Sequence, residues 1–321
     1  MKPLVPYSKL STRLRQAASQ ARLQSILLPE GTAVLCPGLD VKQWTAWLER
    51  LPERLTFGTG NATGRTAFQT NGRGFFRVDA PEGALAAVKC YPERRAVPQF
   101  DPGAPRTAAR PQRAFLCNVA LWRRGISVPE PLAFLKMRAE THGYACYAIT
   151  RWVEDGEPLM SFAFEHCCRN VRPLGWVRSW GRRVIDSILE FHSAGYAHGD
   201  LHHNNILVRT AASDPRTRVS ITDFDLCGVG RGWPPRMAQL VDLARLAASL
   251  YQIVPTRLLA ELFSYYLRQY GLSRTQRKVC RATVAAAYQR IMDEYLACFN
   301  RMEARCLAQA EKAIASAETP M

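Results

Sequence analysis

The stretch His198-Gly-Asp-Leu-His-His-Asn-Asn-Ile-Leu-Val208 constrains this chain more than any other feature. It follows a helical pattern and leads into a strand pattern. Fifteen residues beyond Val208, at Asp223, comes Ile221-Thr-Asp-Phe-Asp-Leu226. The spacing is H-x-D-x-x-x-x-N, then two short strands, then D-F-x. An isolated Asp usually sits in a turn or at a cap. Two such motifs in order, in a helix–loop–strand–turn–strand setting, argue against that reading for both Asp200 and Asp223. His202 and His203 invite a metal-site reading. Adjacent residues on an extended chain point apart, and no third ligand is evident, so this is set aside.

The chain around the motifs changes texture once. Residues 1–60 read as a helical N-terminal extension, with Trp44, Trp47, Leu48 and Leu51 at helical spacing. Residues 61–153 read as a β-rich lobe. Arg65–Thr70, Phe75–Asp79 and Leu85–Tyr91 form a three-stranded antiparallel meander, punctuated at Asn71–Gly74 and Pro81–Gly83. Val97–Arg113 reads as an irregular loop, Ala114–Arg124 as a short helix, and Tyr144–Val153 as a further strand. Residues 154–321 are mostly helical, with strands only at Ile206–Arg209 and Arg218–Thr222. The expected fold class is α+β, two-lobed, with a small antiparallel N-lobe and a helical C-lobe. The 321 residues suffice for both cores.

Other features exclude function classes. No apolar run of 18 residues exists, so a membrane span is not expected, and Met1–Leu28 does not read as a signal peptide. The ten cysteines contain no C-x-x-C pair and read as reduced core residues. The formal net charge of +16 suits nucleic acid, an anionic membrane, an anionic substrate, or merely a solvated basic surface. Arginines are spread along the chain and no nucleic-acid-binding motif is present, which argues against nucleic acid.

The two motifs resemble the catalytic and metal loops of protein-kinase-like enzymes. That resemblance implies ATP as phosphoryl donor and Mg2+ as cofactor. A phosphoryl group in transfer carries spread negative charge, which metal ions and placed cations must offset. Asn205 offers an amide oxygen and Asp223 a carboxylate, the hard donors magnesium prefers. Asp200 is placed to accept the proton of the attacking hydroxyl. His198 reads as a prop for the loop. Asp225 either adds charge near the metals or ends the strand. Upstream, Ala86-Ala-Val-Lys89 resembles the strand whose lysine holds the α- and β-phosphates. Gly72 and Gly74, in Asn71–Val78, stand where a glycine-rich loop is expected, although a bare hairpin turn reads nearly as well.

A narrower resemblance follows. Arg113–Leu132, with its Gly125-Ile-Ser-Val-Pro-Glu-Pro-Leu132, is similar to the bacterial lipopolysaccharide-core sugar kinases, as are Asp223-Phe-Asp225, Trp233-Pro-Pro-Arg236 and Leu240–Leu250. The similarity runs from about Arg65 to about Gly271. It implies transfer to a hydroxyl of a sugar or glycolipid acceptor, at the cytoplasmic face of the inner membrane, where a basic protein can make peripheral contact with anionic lipid. The chain departs from the pattern twice. No acidic residue lies between Asp101 and Glu130, so Lys89 lacks the usual helix glutamate, and Glu93, an Asn118 hydrogen bond or nothing takes its place. Gly199 stands where many kinases carry arginine. The alternatives are another small-molecule kinase of aminoglycoside or choline type, or a non-catalytic pseudokinase scaffold. An ordinary protein kinase is argued against, because only 19 residues separate Asp223 from Asp242 and no Ala-Pro-Glu occurs.

Overall fold

The computed structural model describes residues 20–55, 65–70, 73–92, 109–141, 144–211, 218–229 and 237–317. Its first half is built on a seven-stranded, wholly antiparallel sheet. The strands are β1 (Gln24–Leu28), β2 (Gly31–Leu35), β3 (Arg65–Thr70), β4 (Arg73–Asp79), β5 (Leu85–Pro92), β6 (Pro131–Thr141) and β7 (Tyr144–Arg151), in the order β1-β2-β6-β7-β5-β4-β3. The expected meander is β3–β5, with Phe75 opposite Lys89 and Phe76 opposite Val88.

Two helices cover the sheet. α1 (Val41–Arg54) starts at Asp40, whose carboxylate accepts the N–H of Gln43 at 3.0 Å. Its buried face of Trp44, Trp47, Leu48 and Leu51 packs in one cluster with Phe76, Val88, Cys90 and Tyr147. Burying side chains of this size contributes about 1.5–3 kcal/mol each. α2 (Ala109–Trp122) lies on the opposite face, where Phe115 and Val119 meet Tyr91, Phe134 and Cys146.

These observations correct the sequence reading in three places. The part of residues 1–60 described here is not a helical extension. It supplies the edge strand β1, its neighbour β2 and a helix that covers the sheet. β2 can lie against β6 because Gly31 has no side chain: a Cβ there would sit 2.3 Å from the carbonyl oxygen of Lys136. Residues 109–113, expected in a loop, open α2. Pro111 is tolerated there because N–H groups of a first helical turn have no intrahelical partner. β6 is a strand that the prolines at 129 and 131 disguise. Pro131 occupies its first position, where a missing N–H is permitted.

The second half is helical. β8 (Glu157–Pro158), α3 (Leu159–Phe164), α4 (Leu174–Ser193), β9 (Tyr196–Ala197), β10 (Ile206–Val208), β11 (Val219–Ile221), β12 (Gly228–Val229), α5 (Met237–Leu250), α6 (Thr256–Gln269) and α7 (Arg274–Ala317) follow in order. Its main core gathers Trp180, Val184, Ile188 and Phe191 of α4 with Leu243 and Leu246 of α5 and Leu262 and Tyr266 of α6. α7 packs on α5 through Ala244, Ala248, Ala287 and Ile291. Among the described residues no helix is long and apolar enough to cross a membrane. Cys36, Cys90, Cys117, Cys146, Cys227 and Cys280 are buried free thiols, and Cys167 and Cys168 are free and more open.

Candidate active site

Strand pairing brings the two sequence motifs together. β9 precedes His198 and β12 follows Asp225, and the two pair with Ala197 opposite Gly228. At the other end β10 pairs with β11, and the N–H of Thr222 donates to the carbonyl of Asn205 at 2.9 Å. Residues 198–205 and 222–227 therefore run side by side.

The loop from His198 to Asn205 is held by its own side chains and by one buried carboxylate. Asp242 of α5 accepts the N–H of His198 at 2.6 Å and of Gly199 at 2.9 Å. His198 lies 2.8 Å by Nε2 from the carbonyl of Thr222 and 3.3 Å by Nδ1 from the N–H of Asp200. Nε2 therefore carries the proton and Nδ1 accepts. Burial pushes the His198 imidazole below its usual pKa, which favours the neutral ring, and the two hydrogen bonds set the tautomer. It props the loop and fixes the backbone of Asp200. Gly199 has φ +80°, and a Cβ there would lie 2.6 Å from the carbonyl oxygen of Leu226. An arginine cannot occupy this position without moving the neighbouring loop. The Asn205 amide donates to the carbonyl of Asp200 at 2.9 Å. The Asp200 carboxylate itself is 51% exposed, with His202 Nε2 3.9 Å away.

His202 and His203 each bond within the fold through Nδ1. His202 caps a short turn by accepting the N–H of Asn204, and His203 Nδ1 lies 2.9 Å from the carbonyl of Ser249. Among the described residues no three His, Cys, Asp or Glu side chains converge on one point.

On the facing lobe, Val88 and Cys90 point into the core beneath α1. Lys89 and Tyr91 alternate with them and project from the other face of β5. Lys89 Nζ lies 2.6 Å from Asp223 Oδ1 and 3.1 Å from Asp225 Oδ2. The Tyr91 hydroxyl donates to Asp225 Oδ1 at 2.7 Å. Burial alone would raise the Asp223 carboxyl, but the adjacent Lys89 ammonium holds it below the usual carboxylate range. Asp223 has φ +64°, a left-handed conformation that Asp and Asn tolerate best among residues with a side chain. Arg110 and Arg113 of α2 donate to the carbonyl of Asp225 at 3.3 and 3.2 Å.

The structure thus joins Lys89, Asp223 and Asp225 directly and sets the Asp200–Asn205 loop beside them. Lys89 has two carboxylate partners, where the sequence offered Glu93, Asn118 or none. Glu93 lies outside the described residues. Asn118 is buried in α2, and its Oδ1 has no hydrogen-bond partner among the described residues. Gly72 also lies outside them. Gly74 sits inside the β3–β4 ladder opposite Gln69. Sequence reasoning missed Tyr91, Arg110 and Arg113, and used Asp242 only as a distance marker. Its place in Leu240-Val-Asp242, a lone acid in an apolar helix, was the available signal.

The lipopolysaccharide kinase (Kdo/WaaP) family matches residues 106–295, more than half of the chain. The chain belongs to this family. It is accordingly a kinase of lipopolysaccharide-core sugars. The solved structure described as WaaP in complex with acyl carrier protein is similar to this kinase with a TM-score of 0.55 and 19% identity, over 84% of this chain and 98% of that one. At that identity the likeness speaks for the fold alone, an antiparallel first lobe followed by a helical second lobe. No curated protein matches this kinase in sequence.

Proposed function

We propose that this kinase transfers the γ-phosphate of ATP to a hydroxyl of a lipopolysaccharide-core sugar, with Asp200 as the base and Lys89, Asp223 and Asn205 holding the donor. The observation that carries this reading is the meeting of Lys89 with Asp223 and Asp225, beside a loop that leaves the Asp200 carboxylate half exposed. Asp200 accepts the proton of the acceptor hydroxyl and orients its oxygen for attack. Lys89 offsets negative charge on the donor phosphates. Asp223 and Asn205 fit Mg2+, since one carboxylate and one amide oxygen, completed by phosphate and water, is the donor set that ion takes. When bound, the ion neutralises charge that develops on the phosphoryl oxygens. Turnover of ATP with magnesium across core-lipid sugars, aminoglycosides and a generic protein tests the reading. Phosphorylation of the core sugars is expected, and turnover confined to aminoglycoside or protein would overturn it.

The proposed place of work is the cytoplasmic face of the inner membrane, where ATP and the glycolipid acceptor meet. The +16 charge supports it, because basic residues at an anionic surface contribute about 1 kcal/mol each. The protein is expected to sediment with anionic vesicles, less so as salt rises, and not with neutral ones. Equal sedimentation with both, or with neither, counts against membrane contact.

A protein partner is the second reading, and a cavity favours it. About 340 Å3 of space lies among α3 to α7, lined by Phe162, Trp176, Trp180, Leu246, Leu262 and Phe263. That volume falls at the lower end of the about 300–1,000 Å3 seen for ligand sites. Its apolar lining suits an acyl chain delivered by acyl carrier protein. Acyl-loaded carrier protein is expected to co-elute with the kinase and the unloaded form is not. Equal behaviour of the two forms would remove the cavity from the argument.

A further inference from the structure

We propose that Asp225 is the positioning residue for Lys89. It supplies from the D-F-x loop the carboxylate that protein-kinase-like enzymes otherwise draw from the helix packed on the lysine strand. The inference rests on the phosphotransferase reading above.

In protein kinases the strand lysine must be paired with a helix glutamate before it can serve the phosphates. α2 contains no acidic residue. It presents Arg110 and Arg113 instead, and both donate to the backbone carbonyl of Asp225. The polarity of the contact is reversed: the helix brings the cations and the loop brings the carboxylate.

The two acids of Asp223-Phe-Asp225 are not equivalent. The Asp223 side chain is 36% exposed and that of Asp225 is 6% exposed. Both Asp225 oxygens are held from β5, Oδ2 by Lys89 at 3.1 Å and Oδ1 by Tyr91 at 2.7 Å. Lys89 and Tyr91 reach one carboxylate together because residues two apart share a strand face. A carboxylate this buried is unfavourable unless paired and hydrogen-bonded. Asp225 is thus fixed on Lys89, while the more open Asp223 is left to face a metal ion. Glycine, the usual third residue of the motif, offers no carboxylate. The anchor of the lysine and the metal ligand therefore belong to one loop.

The test measures ATP affinity, steady-state kinetics and magnesium dependence for the full chain and for Asp225→Asn, Tyr91→Phe, Lys89→Ala and the double variants. Asp225→Asn is expected to raise the Kd and KM for ATP about tenfold, leaving the acceptor KM and the magnesium half-saturation unchanged. Tyr91→Phe is expected to shift ATP affinity in the same direction by about threefold, and it decides the matter where Asp225→Asn fails to fold. In the Lys89→Ala background neither change should cost more, since both act through Lys89. Unchanged ATP affinity in both variants overturns the proposal. So does additivity with Lys89→Ala, or a raised magnesium requirement, which would make Asp225 a metal ligand. Failure of the wild-type protein to bind ATP overturns the phosphotransferase reading instead.

Discussion

Asp200→Ala is expected to slow phosphoryl transfer by about 10²–10⁴-fold while ATP binding stays within about twofold. The carboxylate is half exposed and the His202 imidazole is 3.9 Å away. The loop does not depend on that side chain. Its backbone N–H is held by His198, its carbonyl by Asn205, and the two preceding N–H groups by Asp242. Truncation at Cβ leaves all of these in place. What it removes is the proposed acceptor for the hydroxyl proton, a group that serves the transition state and not the holding of ATP. Single-turnover transfer measured beside a nucleotide titration separates the two. Near wild-type transfer would show that Asp200 is not the base, and weak ATP binding would show that the loop had moved.

The parts of the site legible in the sequence are those written in short-range spacing. His198, Asp200 and Asn205 share one loop, and Asp223 follows after a fixed strand–turn–strand interval. The helical face of Trp44, Trp47, Leu48 and Leu51 was equally readable. Its destination was not, because amphipathicity shows that a face will be buried and not what it will be buried against. β1 and β2 are five residues each, and the alternation of Gly31, Ala33 and Leu35 is too short to overrule the basic and apolar residues upstream. The pairings of Lys89 with Asp223 and of Tyr91 with Asp225 each span 134 residues and leave no local pattern. The absence of a helix glutamate was visible, but its replacement depends on tertiary contact. Arginine is absent at Gly199, where many kinases carry it. The structure gives a steric reason, the carbonyl of Leu226 pressed against that position.

Asp223→Asn is expected to abolish magnesium-dependent ATP binding and to lower transfer by about 10²–10³-fold, the scale on which a placed electrostatic group acts. The substitution is nearly isosteric, and asparagine accepts the +64° φ of this position as readily as aspartate does. The backbone therefore has no reason to move, and Lys89 keeps Asp225 at 3.1 Å as its partner. The change is confined to charge. With the carboxylate gone, the ion would be left with neutral amide oxygens from residues 205 and 223, too weak a donor set to compete with water for magnesium. Lys89 also loses the competing negative charge 2.6 Å away while it stays anchored on Asp225, so magnesium-free ATP should bind at least as well as to the wild type. Titrating ATP with and without magnesium distinguishes this from a general loss of fold, which would weaken both. Unchanged magnesium dependence in Asp223→Asn would mean that another residue holds the ion. The effect of Asp223→Asn should exceed that of Asp225→Asn, because the first removes the proposed metal ligand and the second only the proposed anchor of a lysine. The reverse order would exchange the roles assigned to the two acids.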